Sequence, residues 1–245
     1  MSDAGATVPA AEPPISPVAA VIGTFSSPSD AFRRLVARPT WWLPFLLSLV
    51  LGTLTYAVAS PKIDLEATIR ESIEKSGRSV PAGTVERLVA FMQKWSAVVT
   101  AGFCVVGAGA FFLVALVLWG AAKMMGADVR FAQVLAVWAH SGLPGAIGSL
   151  VAIPLFLSVP NASLTQTGAQ KVVASNLGAF LDDSAPAALR TLGSSIDIFS
   201  FAVLFLLVLG FRRLPGLSRG AASAVPIVLW ALFVAGKVAW RAFMG

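Results

Sequence analysis

Few residues of this 245-residue chain have the type and spacing that catalysis or metal binding requires. Ser72 and Lys75 have the spacing of a serine nucleophile and its lysine partner, but they lie in a charged amphipathic stretch, and the companion motifs are missing from the sequence. Motifs for phosphate binding, zinc proteolysis and a serine nucleophile elbow are missing too, and Cys104 is the single cysteine. The sequence therefore predicts a non-enzymatic protein without a metal or cofactor.

The single histidine, His140, lies in a long apolar segment two residues before Gly142-Leu-Pro-Gly145. Transporters place ionisable groups beside interrupted helices of this kind, so one hypothesis is a proton- or ion-binding site. The alternative, which we favour, is a neutral imidazole hydrogen-bonded to carbonyl groups freed by the break. No carboxylate in the apolar segments is an obvious partner for the histidine.

Two other ionisable residues lie at the ends of apolar segments. Asp197 precedes one segment, where a carboxylate caps a helix and interacts favourably with its dipole. Asp197 and His140 are the candidate polar site residues. Lys237 lies near the end of the last apolar segment, one turn from Arg241, and is predicted to extend its side chain to the membrane interface.

Composition indicates a protein of the membrane. The chain is 57% hydrophobic and 12% charged, with a mean hydropathy of +0.81, whereas soluble domains are about 45–50% apolar and about 25% charged. The net charge of +6 comes from Lys and Arg in short stretches beside apolar runs. Such stretches indicate membrane topology, and we do not expect nucleic acid as a partner.

The apolar runs predict an all-α fold, a polytopic transmembrane bundle with short amphipathic helices at the interface. Five spans are predicted, at about 41–59, 95–125, 131–159, 196–211 and 221–243. The third is longer than the roughly 20 residues that a span needs, and it should kink or break at Gly142 to Gly145 and again at Pro154. Residues 60–94 and 160–195 are polar, and the sequence leaves open whether they form a cap or lie on the membrane.

The chain before the first span has two predicted parts. Residues 1–24, rich in Ala and Pro, are predicted to be a disordered cytoplasmic tail that precedes a membrane domain of residues 25–245. A short helix is predicted at about 28–38, with its apolar residues in the headgroup plane of the bilayer. Its arginines, Arg33, Arg34 and Arg38, would contact anionic lipid headgroups.

Basic residues also predict the orientation of the chain. Three short stretches on one side of the predicted bundle contain Arg33, Arg34, Arg38, Lys123, Arg130, Arg212, Arg213 and Arg219. The positive-inside rule places this side, and the N-terminus with it, in the cytoplasm. Because the Ala- and Arg-rich composition resembles that of a high-GC bacterium, the expected location is the bacterial inner membrane. The six arginines of the first and last stretches are the predicted headgroup ligands.

Small residues recur at the spacing that lets helices approach closely. They are Gly102, Gly107 and Gly109 in the second span, and the pairs Gly142/Ala146 and Gly145/Ser149 in the third. We expect them to form the packing seam inside the bundle. The less favoured alternative is an interface between two copies of the chain, which stays open because composition does not separate the two kinds of packing.

Two stretches of the sequence resemble a known family. One is Phe25-Ser-Ser-Pro28-Ser-Asp-Ala-Phe32-Arg-Arg-Leu35 with Arg38-Pro39-Thr-Trp41-Trp42, and the other is Asp197-Ile-Phe199 leading to Gly210-Phe211 and Gly216-Leu-Ser218. Together they resemble the bacterial branch of the Ypt-interacting protein (Yip) family, over about residues 24 to 240. The resemblance implies a five-helix membrane domain with a cytoplasmic N-terminus and no catalytic residues. The family's eukaryotic link to Rab-type GTPases does not carry over, since a bacterium lacks such partners.

These patterns lead to two hypotheses of function. The first is a non-enzymatic membrane scaffold or adaptor that associates with membrane lipids and with other integral membrane proteins, or with itself. The second is a small transporter or channel built around the broken third segment, from His140 to Gly145. The second hypothesis requires a cavity that reaches His140.

Overall fold

The structure is a computed structural model, and it describes residues 15–76, 79–182 and 185–244. Within these ranges the chain is helical and has no strand. In chain order the helices are α1 (Pro17–Ser26), α2 (Pro28–Ala37), α3 (Trp42–Ala59), α4 (Leu65–Ser76), α5 (Thr84–Lys94), α6 (Ser96–Met124), α7 (Phe131–Ser141), α8 (Leu143–Leu157), α9 (Gln166–Lys171), α10 (Ala187–Ser195), α11 (Ile198–Phe211) and α12 (Arg219–Met244). The predicted all-α class is confirmed.

Among the described residues, four helical segments are long and apolar enough to cross a membrane. They are Trp42–Lys62, Ser96–Met124, Phe131–Leu157 and Arg219–Phe243, and their bounds lie close to those predicted. The predicted fourth span corresponds to α11, which has 14 residues and is therefore about 21 Å long. That length is less than the roughly 30 Å of hydrocarbon in a typical bilayer.

The third apolar segment is interrupted where proline predicts it. Helix α7 ends at Ser141, and α8 begins with Leu143 and Pro144 after Gly142. Proline has no backbone N–H for the helical bond and its ring clashes with the preceding turn, so the regular α-helical hydrogen bonding is interrupted here. At Pro154, where a kink or a break was predicted, there is no break, because α8 continues through this residue to Leu157. An apolar helix tolerates one missing hydrogen bond when its neighbours hold it in place.

The N-terminal segment is more ordered than predicted. Residues 17–24, assigned to a disordered tail from the sequence, belong to α1, whose N-cap Ser16 accepts a hydrogen bond from the Ala19 N–H at 3.2 Å. Ala20 and Thr24 are fully buried, so α1 packs against the bundle. The rest of the predicted tail, residues 1–14, lies outside the described residues.

Helix α2 has a different environment from the one predicted. Its apolar face, with Phe32 and Leu35 fully buried, packs into the protein core against α7 and α11 rather than into lipid. Gln133 of α7 donates a hydrogen bond from its side-chain amide to the Val36 carbonyl at 2.8 Å, and this buried bond fixes the end of α2. An amphipathic pattern predicts an apolar contact surface without telling protein from lipid.

Two loops, the one between α6 and α7 and the one between α11 and α12, meet at the end of the bundle where α2 packs. We call this end, which carries the arginines of α2 and of the α11–α12 loop, the basic end. The backbone N–H of Asp128 donates to the Pro215 carbonyl at 3.2 Å. Gly216 makes this approach possible, because its φ of +81° lies in the left-handed region and a Cβ there would lie 2.8 Å from the Asp128 nitrogen. The α6–α7 and α11–α12 loops are therefore held together.

The opposite end carries a small folded cap, formed by residues 160–182 and 185–197. The Asp64 N–H donates to the Leu164 carbonyl at 2.8 Å, which joins the cap to the chain that follows α3. Within the cap, Gly178 and Gly193 lie so close that a Cβ on either would come within 3 Å of the other segment's backbone. The sequence left open whether this loop forms a cap or lies on the membrane. In the structure its described residues fold onto the ends of the long helices.

Candidate functional site

His140 is fully buried at the last turn of α7. Its Nδ1 lies 2.9 Å from the carbonyl oxygen of Ala136 in the same helix, and its Nε2 has no hydrogen-bond partner among the described residues. The predicted contact with a carbonyl is present, but this carbonyl lies within α7 and is not one freed by the break. Among its neighbours along α7, Ala136, Val137 and Ala139 are buried and apolar. The adjacent Ser141 is also fully buried, and its hydroxyl has no hydrogen-bond partner in the described part of the chain.

Asp197 acts as the N-cap of α11. One carboxylate oxygen accepts a hydrogen bond from the Phe199 N–H at 2.9 Å, and the other accepts one from the Ser175 hydroxyl at 3.3 Å. The capping interpretation is confirmed, and the carboxylate also ties α11 to the cap. His140 and Asp197 do not form a joint polar site: Asp197 lines a cavity between the long helices, and His140 does not.

That cavity is a groove of about 830 Å³ between α6, α8, α11 and α12. Its walls are apolar for most of their length, with side chains such as Val117, Val203 and Leu229. Polar residues collect towards the cap, namely Ser175, Ser194, Ser195, Asp197 and Lys237. The groove thus has a long apolar body and a polar end, and we call it the lateral groove.

Lys237 is the cationic group at the polar end of the lateral groove. Its ammonium donates a hydrogen bond to the Ser195 hydroxyl at 3.2 Å and lies 5.5 Å from the centre of the Phe233 ring. Both contacts are with neutral groups. Ser195 is itself buried, so Lys237 extends along α12 to the cap, which agrees with a side chain that reaches the interface.

Most of the glycines that were predicted to form a packing seam inside the bundle do not pack against another helix of the described chain. Gly102, Gly107 and Gly109 are exposed, and a Cβ on any of them would meet nothing within 4 Å, so they do not pack inside the chain. Gly145 is also open and lines the lateral groove. A Cβ on Gly142 would meet only carbonyl oxygens of its own α7, at 3.5 Å or more.

The two other residues of the predicted seam lie deeper. Ala146 is buried, and Ser149 lines the lateral groove. Close helix contacts occur at glycines that the sequence analysis did not select. A Cβ on Gly210 would lie 2.4 Å from Val137, and one on Gly148 would lie 3.1 Å from the Phe199 ring. Spacing alone does not show which side of a helix meets its neighbour, so these two glycines had no distinguishing signal.

Gln133 is another residue whose role the sequence analysis missed. Besides its bond to the Val36 carbonyl, its side-chain oxygen accepts a hydrogen bond from the Arg130 N–H at 2.8 Å, which caps α7. The available signal was the position of an amide side chain in the first turn of an apolar span. Such a group is expected to be hydrogen-bonded when it is buried.

The basic end carries the predicted headgroup ligands on its surface. Arg33, Arg38, Arg212, Arg213 and Arg219 are exposed, and Arg34 is half-buried. Arg212 donates to the Ser223 hydroxyl at 3.0 Å, which links the end of α11 to the first turn of α12. The structure therefore brings the first and last arginine stretches to one end of the molecule, as the orientation prediction requires.

Asp30 sits among these arginines in the first turn of α2. Arg33 donates a hydrogen bond to its carboxylate, and Arg34 lies 3.2 Å from its second oxygen. These contacts, with a smaller influence from Arg213, hold the pKa of the Asp30 carboxyl below its usual value of 3.8. The carboxylate thus connects α2 electrostatically to the loop after α11.

This arrangement predicts a pH dependence of stability. The folded-state pKa of Asp30 is lowered, so its contribution is present above the unfolded value of 3.8 and is lost as the pH falls through the folded value. In low salt, Asp30→Asn should melt below the wild type at pH 7, by the small amount typical of exposed ion pairs. The two melting temperatures should converge in acid. An equal difference at both pH values would contradict the assignment.

The fold and its surfaces define a class: an all-α membrane protein with several long apolar helices, a basic end, a folded cap and a lateral groove between those helices. A model of the Yip1 domain matches residues 22–239, and the chain belongs to this family. The resemblance drawn from the α2 and α11 motifs is confirmed.

A curated relative is also described as a membrane protein. The chain is 24% identical over 215 residues to a protein of Bacillus subtilis (strain 168) described as "Membrane protein YknW". The match covers 87% of this chain and 86% of the relative. The search of solved structures gave no match.

Proposed function

We propose that this protein is a non-enzymatic scaffold or adaptor in the bacterial cytoplasmic membrane, and that it binds other integral membrane proteins through α6. The observation that carries the proposal is one exposed face of α6. Gly102, Val105, Val106 and Gly109 fall at i, i+3, i+4 and i+7, and the two valines are 72% and 71% exposed. We call these four residues the α6 face.

The packing of α6 within the chain leaves this face open. Its buried residues are Ala115, Leu118 and Ala122, all in the last third of the helix. The earlier part is held on one side by α3, where the Tyr56 and Phe103 rings stack with centres 4.4 Å apart. The α6 face has no partner among the described residues.

The two glycines of the α6 face favour contact with another helix over contact with lipid. In a bilayer, exposed valine and leucine are covered by lipid tails at no penalty, whereas glycine has no side chain to contribute to such contacts. Glycine also lowers helix stability by about 1 kcal/mol relative to alanine. Two glycines one heptad apart instead let a second helix approach closely enough to gain van der Waals contact along the face.

The proposed topology has five spans with the N-terminus in the cytoplasm. In addition to the four long helices, α11 would be a span, the fourth in chain order, since Asp197 and the cap lie before it and Arg212 and Arg213 follow it. A span this short is accommodated by local thinning of the bilayer. The basic end then faces the cytoplasm, where its arginines attract anionic headgroups.

The transporter hypothesis has less support. It requires a cavity that reaches His140, and His140 does not line the lateral groove. His140 is also fully buried, whereas the ionisable groups of a relay site face water or one another.

The proposal is tested by replacing the glycines of the α6 face. Gly102→Leu/Gly109→Leu should lose the proteins captured by in-membrane crosslinking of the tagged wild type, because leucine prevents close approach of a second helix. The control is Gly52→Leu, another open glycine in a span, on α3. Capture that is unchanged in the double variant, or equally reduced in the control, would overturn the proposal.

A further inference from the structure

We propose that the lateral groove binds one membrane phospholipid, with its acyl chains between α6 and α12 and its phosphate at Lys237. This site is separate from the arginines of the basic end, which lie at the other end of the spans. It also goes beyond the proposed adaptor function, which rests on the α6 face.

The shape of the lateral groove suits a molecule with a long apolar part. Its volume of about 830 Å³ falls within the roughly 300–1,000 Å³ of sites that bind organic ligands. Leu113 of α6 and Phe233 of α12 line its two walls and are still 60% and 66% exposed. Such side chains face the outside between two spans, so the groove opens sideways, towards the bilayer.

The polar groups of the groove suit a phosphate. Lys237 is half-buried and contacts the Ser195 hydroxyl and the Phe233 ring, which leaves its charge without a carboxylate partner within 4 Å among the described residues. A cation in a partly buried setting gains from a hydrogen-bonded anion. Ser194 lines the same end and supplies another hydroxyl that can donate to a phosphate oxygen.

The carboxylate of Asp197, which lies in this region, already accepts hydrogen bonds from other groups of the chain. Both oxygens of Asp197 accept hydrogen bonds, one from the Phe199 N–H and one from the Ser175 hydroxyl. Its negative charge is therefore directed to the positive end of α11, where a carboxylate is stabilised. The free charge at the mouth of the groove is positive, which favours a phospholipid over a neutral or cationic amphiphile.

The test uses the delipidated full-length protein in a mild detergent, with dioleoylphosphatidylglycerol as the probe and native mass spectrometry as the readout. Wild type should retain one lipid per chain, and Lys237→Met should bind about tenfold more weakly, as expected when a charged hydrogen bond is lost. Arg241→Met is the matched control, because it removes a cation one turn further along α12, outside the lateral groove. It should bind as wild type does.

A second variant tests the position of the acyl chains independently of charge. Gly145→Phe places a ring in the groove from a position where a Cβ has open space, whereas Gly107→Phe adds the same ring to the exposed surface of α6. The first should abolish retention of one lipid and the second should not. Equal binding by wild type, Lys237→Met and Gly145→Phe would overturn the proposal. So would a dihexanoyl lipid that binds as tightly as the dioleoyl probe.

The competing occupant is a span of another protein seated in the groove. A photo-crosslinker at Leu113 would distinguish the two, because a lipid in the groove gives lipid adducts at this position. A protein adduct there would overturn the lipid proposal. The adaptor proposal is tested separately, at the α6 face.

Discussion

Replacing Phe32 by alanine is expected to reduce the stability of the folded protein by about 3–5 kcal/mol, the usual effect of removing a fully buried phenylalanine. The ring is 0% exposed and lies against Gly210, where an added Cβ would meet it at 3.1 Å. Because α1 and α2 pack on the bundle through this core, their release should also expose them to protease. Thermal unfolding in detergent and limited proteolysis measure the two effects.

Phe25 provides the matched control for this prediction. It lies at the end of α1, is 48% exposed, and its replacement by alanine removes the same number of atoms from the chain. Phe25→Ala should shift the melting temperature by a small fraction of the Phe32→Ala shift. If Phe32→Ala melted like the wild type with α1 and α2 still protected, the core assigned to the basic end would be wrong.

The second large effect is expected from Gly210→Val. Its Cβ alone would lie 2.4 Å from the Val137 Cγ1 atom, so either the Val137 side chain must move or α7 and α11 must separate to accommodate any side chain. Overpacking of this kind costs about 1–3 kcal/mol or more in a close-packed core. The melting temperature in detergent and the yield of monodisperse protein should both fall.

A double variant tests whether the Gly210 effect comes from that one contact. Val137→Ala removes the clashing methyl groups, so Gly210→Ala combined with Val137→Ala should be more stable than the sum of the two single effects predicts. Gly109→Val is the control, since a Cβ at that glycine has open space. Additive effects in the double variant would show that the helices approach differently from the structure described above.

The positions of the long apolar helices and of the break between α7 and α8 were largely predictable from the sequence, because they depend on the length of apolar runs and on the position of a proline. The four long spans and the break at Gly142 follow from hydrophobic runs and from the missing N–H of Pro144. Helix α1 was missed because the Ala- and Pro-rich composition around it resembles that of disordered tails. The helix N-cap Ser16, followed by Pro17 at the first helical position, is a local signal that such a composition obscures.

The faces of the helices could not be predicted in the same way. The pattern of α2 is equally compatible with lipid and with a protein core, and its burial depends on α7 and α11, which are far away in sequence. Likewise, the spacing of Gly102 and Gly109 indicates close packing without showing against what. In the structure these two glycines are open, while Gly210, which has no such pattern around it, forms the closest contact.

This outcome changes what the small residues mean for function. A glycine that packs inside the chain is accounted for by that close contact, whereas the open glycines of the α6 face have no contact within the described chain. The adaptor proposal assigns that face to a partner helix, and it assigns the basic end to lipid headgroups. The lateral groove, with Lys237 at its polar end, is a third surface with a different chemistry.

The most direct test of the adaptor proposal is site-specific photo-crosslinking in the native membrane from Val105, at the centre of the α6 face. Leu232 is the control position, because it is an apolar residue on α12 that is 63% exposed. The proposal predicts discrete protein adducts from Val105 that disappear in the Gly102→Leu/Gly109→Leu background, and no such adducts from Leu232. An adduct of twice the mass of the chain would identify the partner as a second copy. Lipid adducts alone at both positions would contradict the proposal.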